Sequence, residues 1–518
     1  MNQTNRRVAQ AAGLVMAAFV VANLTGLLRQ VIINRTFGTS AELDAYFAAF
    51  RVPDLLFNVI AGGALGSAFI PTFTGLLTKN EDRAAWRMAG NIITWLLVVV
   101  SALAAVIGLF APLLVAHILA PGFDAQLVAL TSALMRIMLV STVIFGVSGL
   151  LMGIHHAQQH FLAPALAPIL YNVGIAAGAI FLAPHMGVRG LAWGVVLGAL
   201  GHIGIQVPRL LRYGGRYDFG LGWRNVHVRE VGRLMLPRML GLAVWQINFW
   251  INITIASGLP VGSISGLTIA FQIFTFPQAA IAQAIATAVF PTLSEQAARA
   301  DRSAMRVTLG ASLRGMLYLA IPAAVGLILL GRSLIAVLFQ NETFTARSTE
   351  LVAWALTWYA AGLVSHSVVE IVTRAFYALK DKRTPVLVGV GAMLLNVLLS
   401  LTLTALFARR GVMPHGGLAL ANTLATTAEM IALIWLLRGR LGGVTAGAMA
   451  TSVLRTSLGA AGMAIVLWGW LAAAPDSALI VSLVGVGLGG SVYWGFTLLA
   501  RSEEARQIPA LLAERLRG

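Results

Sequence analysis

Long apolar segments separated by short polar connections run through almost the whole chain. A transmembrane helix needs about 20 apolar residues, and about fourteen suitable segments occur in the 518 residues. Apolar residues make up 58% of the sequence and charged residues only 11%, whereas a soluble domain has about 25% charged residues. We therefore predict an all-α polytopic membrane protein with about fourteen transmembrane helices. The predicted segments lie at 8–34, 41–77, 85–118, 126–154, 160–183, 188–211, 230–258, 262–295, 305–338, 348–379, 384–408, 416–437, 449–473 and 477–500.

Basic residues are divided unequally between the two sets of loops. If the N-terminus is cytoplasmic, 23 of the 36 Lys and Arg residues fall on the cytoplasmic side and 6 on the outer side. Cytoplasmic loops of membrane proteins carry such an excess. The asymmetry predicts that both termini are cytoplasmic and accounts for most of the net charge of +17, so no nucleic-acid partner is expected. The length of the first apolar segment argues against a cleavable signal peptide.

Two motifs recur at an offset of about 220 residues. AFIPTF at 68–73 resembles AVFPTL at 288–293, and AQQHFLAPALAP at 157–168 aligns with ALKDKRTPVLVG at 378–389. Six predicted helices fit in each repeat, so both have the same orientation, as in transporters with two lobes related by an axis along the membrane normal. We predict two six-helix lobes around a central cavity plus two extra C-terminal helices. The predicted boundaries are 1–215 for the N-terminal lobe, 216–440 for the C-terminal lobe, and 441–518 for the extra helices and a cytoplasmic tail.

Ionisable residues interrupt the first two apolar segments. Arg29 lies near the outer end of the first segment, and Asp44, Arg51 and Asp54 lie in the second. Such a residue costs about 2.5–3.5 kcal/mol at the centre of a membrane helix, so it normally faces a cavity or a partner. We predict that Arg29, Asp44 and Arg51 line a water-accessible cavity. Two alternatives stay open: Arg29 could extend to the outer membrane interface, and the residues of the second segment could form a purely structural cluster.

Polar residues in later segments provide further candidates. Glu370 and Arg374 are one helical turn apart, so they either neutralise each other or take part in gating and substrate contact. The seventh segment carries Gln246 and Asn248, although amides also hold membrane helices together. We predict substrate contact for Arg374. Gating or cavity roles are predicted for Asp54, Arg238, Gln246, Asn248, Gln272 and Glu370.

The sequence lacks the residue patterns of catalysis. It contains no cysteine, which excludes disulfides, thiol chemistry and Cys-based metal sites. We find no P-loop, nucleotide-binding fingerprint or nucleophile–base pair. His155, His156 and His160 lie together without nearby carboxylates, a poor pattern for a metal site. We expect no enzymatic activity, no catalytic residue, no metal and no cofactor.

Several motifs together resemble those of one transporter family. The longer ones are GLLRQVIINRTFG at 26–38, LDAYFAAFRVPDLL at 43–56, FLAPALAPILYNVG at 161–174 and RAFYALKDKRTPV at 374–386. Shorter ones are AFIPTF at 68–73, LAPGF at 119–123, FPTLSEQAA at 290–298 and LFQNETFTA at 338–346. In these motifs the chain is similar to the MurJ (MviN) lipid II flippases of the multidrug/oligosaccharidyl-lipid/polysaccharide exporter superfamily.

The resemblance implies a protein of the bacterial cytoplasmic membrane that moves lipid II to the outer leaflet by alternating access. Lipid II is an undecaprenyl-pyrophosphate-linked disaccharide pentapeptide. The resemblance also implies that cavity arginines bind the pyrophosphate, with Arg29, Asp44 and Arg51 at functional or basic family positions, and that the last two helices form a groove for the lipid tail. The expected partners are lipid II or a similar polyprenyl-linked glycan, membrane lipids and cell-wall synthesis proteins, with the chain itself a monomer.

Several charged positions of the family are not charged here. Ala22-Asn23 stands where family members carry Ser-Arg, Phe57-Asn58 where they carry an arginine pair, and Phe271-Gln272 where they carry Asp-Arg. Gly62 stands in place of a glutamate. Two alternatives therefore stay open: a transporter of another polyprenyl-linked glycan or amphiphile, and a non-transporting scaffold for envelope assembly. A membrane-embedded glycosyltransferase is disfavoured because no loop offers paired carboxylates.

Overall fold

Every regular element in the described part of the chain is a helix. The computed structural model describes the backbone of residues 3–60, 64–214, 217–218, 220–442 and 446–506, and the side chains of 16–59, 68–214, 217–218, 220–235, 250–442 and 449–506. Three residues predicted above to have cavity roles, Arg238, Gln246 and Asn248, have side chains outside this description, and Gly62 lies outside it altogether.

The chain forms two compact units, Met1–Ile264 and Ser265–Gly518. The first unit contains α1 (Gln3–Phe37), α2 (Ala41–Ile60), α3 (Ala64–Thr78), α4 (Asp82–Leu109), α5 (Ala111–Leu114), α6 (Ala125–Ala157), α7 (Leu162–Ala177), α8 (Ala183–Met186), α9 (Val188–Gly204), α10 (Val207–Leu211) and α11 (Val226–Ser257). π-Helical turns at Val115–Leu119 and Gly178–Leu182 follow α5 and α7.

The second unit contains nearly all of α12 and the eight helices that follow it. They are α12 (Ser263–Gln278), α13 (Ala284–Ala298), α14 (Arg302–Phe339), α15 (Ala346–Ala361), α16 (Leu363–Ala378), α17 (Arg383–Arg409), α18 (His415–Leu441), α19 (Ala446–Ala473) and α20 (Ala478–Leu499), with a π-helical turn at Ala279–Gln283. The long helix α14 packs against α15, α16, α19 and α20.

Short polar side chains begin several of these helices. The side chains of Asp124, Asn225, Asp301 and Ser477 accept hydrogen bonds from backbone N–H groups in the first turns of α6, α11, α14 and α20. The first N–H groups of a helix have no partner within it, and such caps satisfy them. The apolar segments of the sequence therefore begin as helices at local polar signals.

Eleven helices in the described residues are long and apolar enough to cross a membrane, and the pair α15 and α16, bent by 46°, brings the number to twelve. The predicted all-α polytopic membrane protein is thereby confirmed. Helices α2 and α11 are not counted among the twelve. The predicted total of about fourteen is compatible with this count and stays a prediction.

Helix α11 packs against α2, α3 and α4 within the first unit. The chain therefore divides into compact units after residue 264, whereas the sequence repeat predicts that the second lobe begins at 216. A boundary between compact units need not coincide with a boundary between sequence repeats. The lobe boundaries at 215 and 440 stay a prediction.

Helices α7 and α9 approach each other closely at glycines. A Cβ atom on Gly174 would lie 2.3 Å from the Cα of Gly198, and a Cβ on Gly198 would lie 2.5 Å from the carbonyl oxygen of Tyr171. Only glycine fits such distances, and small residues let membrane helices approach backbone to backbone. This glycine contact fixes Tyr171 and Asn172 relative to α9, and α7 packs on α1 as well.

Candidate functional site

Arg29 of α1 contacts helix α7 through Asn172. Its Nη1 donates a hydrogen bond to Asn172 Oδ1 at 3.0 Å. The Nδ2 of Asn172 donates to Ala22 O at 3.1 Å and to Thr25 Oγ1 at 3.3 Å. Asn172 is only 9% exposed, so it holds the guanidinium in one place. Arg29 Nε is buried and has no hydrogen-bond partner among the described residues, which leaves the guanidinium a donor for an anion.

Residues of α2 and α7 lie within electrostatic range of this guanidinium. Tyr46 and Tyr171 lie close enough to Arg29 to interact with it electrostatically, and Tyr171 also interacts with Asp54. Arg51 interacts with Asp54 in turn. Three helices therefore supply one polar cluster inside the first unit. We call Arg29, Tyr46, Arg51, Asp54, Tyr171 and Asn172 the arginine cluster.

Asp54 is engaged by its own helix as well. The Nδ2 of Asn58 donates to Asp54 Oδ1 at 3.1 Å and to the Asp54 carbonyl oxygen at 2.9 Å. Pro53 lies inside α2 next to this pair, and a proline removes one backbone hydrogen bond from a helix. The part of α2 around Asp54 is therefore a polar stretch that faces other helices.

Asp44 is buried and holds the turn between α11 and α12. It is 4% exposed, and its Oδ2 accepts a hydrogen bond from the Gly262 N–H at 2.7 Å. Nearby, Thr254 Oγ1 donates to Ile118 O at 2.9 Å and the Gly122 N–H donates to Ser257 Oγ at 3.1 Å. Asp44 therefore has a structural contact, and its predicted contact with substrate stays a prediction.

The candidates of the second unit occupy α12 and α16. Arg374 Nη2 and Glu370 Oε1 are 2.7 Å apart, with both side chains partly exposed, which confirms the predicted ion pair one turn apart. Gln272 lies in α12, and its Oε1 is buried and accepts no hydrogen bond from the described residues. The Glu370 carboxylate compensates part of the Arg374 charge, so the arginine cluster has the more available guanidinium.

An apolar cavity of about 540 Å³ lies beside α14, α19 and α20. Six of the residues that line it are Tyr318, Pro322, Leu330, Met463, Tyr493 and Trp494. Tyr493 Oη donates to the Tyr318 carbonyl oxygen at 2.6 Å, so part of the polar lining is already satisfied. The cavity lies where the family resemblance implies a groove for a lipid tail.

Metal ligands are not grouped in the part of the chain that the structure describes. No set of three or more His, Asp or Glu side chains there lies close enough to hold an ion. His155 instead contacts Tyr213 Oη through Nδ1 at 2.9 Å and the Gln206 carbonyl oxygen through Nε2 at 3.1 Å. These are packing contacts of a buried imidazole.

Sequence reasoning missed Tyr46, Tyr171 and Asn172. They contact Arg29 or lie within electrostatic range of it in the folded chain, yet in the sequence each is a polar residue within an apolar segment. Tyr171 and Asn172 do fall in the motif FLAPALAPILYNVG. That motif is one of those that resemble the transporter family. The spacing of residues within the motif, however, gives no reason to place Tyr171 and Asn172 beside Arg29.

Comparison with known proteins decides the family. The model of the family described as "Lipid II flippase MurJ" matches residues 33–486, which is most of the chain. The chain belongs to the lipid II flippase MurJ family. The matched residues include the α2 and α7 members of the arginine cluster, whereas Arg29 lies just before them. The predicted family resemblance is confirmed.

Curated MurJ relatives agree with this assignment, and a solved MurJ structure shares the fold. "Lipid II flippase MurJ" of Burkholderia cenocepacia is 31% identical over 432 residues, covering 81% of this chain and 82% of the relative. "Probable lipid II flippase MurJ" of Vibrio cholerae is 29% identical over 439 residues, covering 83% and 82%. A solved structure of a MurJ in an inward closed conformation has a TM-score of 0.78 at 24% identity, covering 94% and 98%.

The same fold occurs in a second transporter group. A multidrug resistance MATE family transporter of the MOP superfamily, in an inward-facing conformation, has a TM-score of 0.67 at 14% identity, covering 82% of this chain and 95% of that one. At this identity the likeness concerns the fold alone. The MurJ-family chain is a multi-pass membrane protein whose fold is shared with transporters.

Replacing Asn172 with alanine should weaken lipid II binding about tenfold. The change removes the acceptor that orients Arg29 and the donor to Ala22 O, and a hydrogen bond to a charged group contributes about 1.5–3 kcal/mol. Thr36→Ala is the matched control, because Thr36 is exposed and its Oγ1 donates to Ile32 O within α1. Titration of the purified variants with lipid II measures the difference. Equal affinities of the two variants would contradict a positioning role for Asn172.

Replacing Gln272 with alanine should change lipid II transport by less than about threefold. Its neutral amide gives no charge compensation to a pyrophosphate, and its Oε1 accepts no hydrogen bond from the described residues. The measurement is the transport rate at matched protein level. A loss as large as that expected for Arg29→Ala would show that α12 takes part in headgroup binding.

Proposed function

We propose that this chain translocates lipid II, the lipid-linked peptidoglycan precursor, across the bacterial cytoplasmic membrane by alternating access. The observation that carries the proposal is the match of residues 33–486 to the lipid II flippase family. Relatives that cover about four fifths of the chain carry the same name. In this proposal the chain is a transporter without catalytic residues, and both termini are cytoplasmic, as the loop charges predict.

The arginine cluster supports binding of the pyrophosphate. Two or more negative charges in a low-dielectric cavity need compensation, and a planar guanidinium can bind a phosphate through two hydrogen bonds. Arg29 has an unpaired Nε and is fixed by Asn172. We assign the main headgroup contacts to Arg29 and Arg51, whose cluster holds two guanidiniums and one carboxylate, Asp54. Arg374 is the weaker candidate because Glu370 pairs with it one to one.

The apolar cavity beside α14, α19 and α20 supports binding of the polyprenyl tail. Its lining is almost entirely apolar, and burial of apolar surface contributes about 25 cal/mol for each Å² removed from water. A tail seated there would be held without any charged contact. Headgroup and tail binding would then use different parts of the chain and could be tested by separate variants.

A second candidate function is transport of another polyprenyl-linked glycan. The observation that favours it is the loss of family arginines at Phe57-Asn58 and at Gln272. In the structure Asn58 hydrogen-bonds Asp54 and therefore fills a local structural role. A cavity with fewer cations suits a less charged headgroup.

Complementation separates the proposals. A bacterium depleted of its own lipid II flippase should grow when it expresses this chain, and its cytoplasmic lipid II pool should return to normal. If growth fails while the chain reaches the membrane at normal level, lipid II is not the substrate. Transport of a second polyprenyl-linked glycan would then support the other candidate, and transport of neither would support the scaffold alternative.

A further inference from the structure

The connection between α10 and α11 is fixed to the side of α4. The ring of Trp223 packs edge to face on Trp95 with centroids 4.2 Å apart, and Tyr217 packs on Trp86 in the same way at 5.3 Å. Aromatic pairs in this geometry stabilise beyond their buried area. Two anchor points therefore hold the connection against α4.

Polar and backbone contacts complete this attachment. Asp218 forms an ion pair with Arg87 of α4 at 3.4 Å. In the orientation of the Asn91 side-chain amide that satisfies its hydrogen bonds, the amide nitrogen donates to the carbonyl oxygens of Gly220 at 2.7 Å and Asp218 at 3.1 Å. A Cβ on Gly90 would lie 2.6 Å from the Asp218 carbonyl oxygen, so only glycine permits this approach. The described part of the connection is a defined surface.

The exposed face of this connection carries both apolar and basic side chains. Leu211 is 72% exposed, Trp223 65% and Val226 72%. Four exposed arginines lie among them along the chain: Arg212, Arg224, Arg229 and Arg233. Aromatic and apolar side chains next to arginines are typical of segments that lie at the level of lipid headgroups. We call residues 211–214, 217–218 and 220–234 the interfacial platform.

The acidic residues of the platform already have basic partners. Asp218 pairs with Arg87, and Glu230 Oε2 lies 4.0 Å from His227 Nδ1. Within the described side chains, none of the four exposed arginines forms an ion pair. The platform therefore presents an excess of positive charge beside exposed apolar surface.

We propose that the interfacial platform binds the headgroups of anionic phospholipids. Arginine binds phosphate through short, charge-assisted hydrogen bonds, and basic residues near a membrane surface are attracted to anionic lipids. Trp223 and Val226 enter the boundary between headgroups and acyl chains. The platform leads directly into α11, which packs against α2, so bound lipid fixes the start of a helix that contacts the arginine-bearing α2. This binding does not depend on the transported substrate.

Fluorescence quenching in vesicles tests the proposal with the full chain. The full chain is placed in phosphatidylcholine vesicles that contain a minor fraction of either brominated phosphatidylglycerol or brominated phosphatidylcholine. The emission of Trp223 is obtained by subtracting the emission of Trp223→Phe from that of the wild type. We expect the anionic lipid to quench Trp223 at least fivefold more efficiently, roughly the effect of one arginine at an anionic surface. Equal quenching by the two lipids would overturn the proposal.

Arginine variants give a second readout that does not need the Trp223 substitution. The readout is the total tryptophan emission of the protein. For Arg224→Gln/Arg229→Gln, we expect brominated phosphatidylglycerol to quench this emission no better than brominated phosphatidylcholine does. The control Arg409→Gln/Arg410→Gln removes the same charge from exposed positions at the end of α17. This control should keep the stronger quenching by phosphatidylglycerol. A preference that survives in the first variant, or disappears equally in both, would overturn the assignment to the platform.

Discussion

Replacing Arg29 with alanine should lower the affinity for lipid II at least thirtyfold and abolish growth in a flippase-depleted strain. The guanidinium is oriented by Asn172 and has an unpaired Nε. Truncating one partner of a buried, hydrogen-bonded charge pair costs about 2–5 kcal/mol, and 1.4 kcal/mol corresponds to tenfold in affinity. Arg29 is one of the two guanidiniums of the arginine cluster, and it is the one that Asn172 orients.

Two further variants show whether charge or geometry is responsible. Arg29→Lys should restore only part of the affinity, because lysine keeps the charge and loses the planar fork. Arg35→Ala removes the same charge from the same helix at an exposed position and should leave binding nearly unchanged. Wild-type growth and affinity of Arg29→Ala at normal protein level would contradict the role assigned to Arg29.

Replacing Gly198 with alanine should destabilise the protein and disturb the arginine cluster together. The new Cβ would lie 2.5 Å from the Tyr171 carbonyl oxygen, which belongs to the backbone, so α7 and α9 must separate. Overpacking typically costs 1–3 kcal/mol, which for a unit of this size we expect to lower the melting temperature by roughly 2–6 °C. Because Tyr171 and Asn172 move with α7, transport should fall as well.

Gly204→Ala is the matched control for this change. Gly204 ends the same helix, and a Cβ there meets no atom within 4 Å. Thermal unfolding of the purified proteins, followed by tryptophan fluorescence, should show a normal midpoint for Gly204→Ala and a lowered one for Gly198→Ala. Equal midpoints would mean that the glycine contact between α7 and α9 is looser than the structure shows.

Local patterns explain why the helical fold and one ion pair could be predicted. Apolar segments of membrane-spanning length are a property of consecutive residues, and the helices follow them. The pair of Glu370 and Arg374 was predicted from spacing along one helix and is present at 2.7 Å. Helix α2 is absent from the count of apolar spans, because the ionisable residues that mark a candidate site also lower the hydropathy of the helix.

Contacts between distant residues explain what the sequence did not reveal. Asn172 is 143 residues from Arg29, and Gly262 is 218 residues from Asp44. Such pairings depend on which helices pack together, and a single sequence contains no local signal for them. The buried contact of Asp44 with the Gly262 backbone is therefore a structural finding that charge and position alone would not predict.

The exposure of lipid II at the outer membrane surface tests the central claim most directly. In cells depleted of their own flippase, an enzyme that cleaves lipid II and acts only from outside reports the translocated fraction. We predict that expression of this chain restores cleavage and that Arg29→Ala/Arg51→Ala, at equal protein level, does not. Cleavage that stays at the level of depleted cells with the wild-type chain, or that is equally restored by the double variant, would contradict the account.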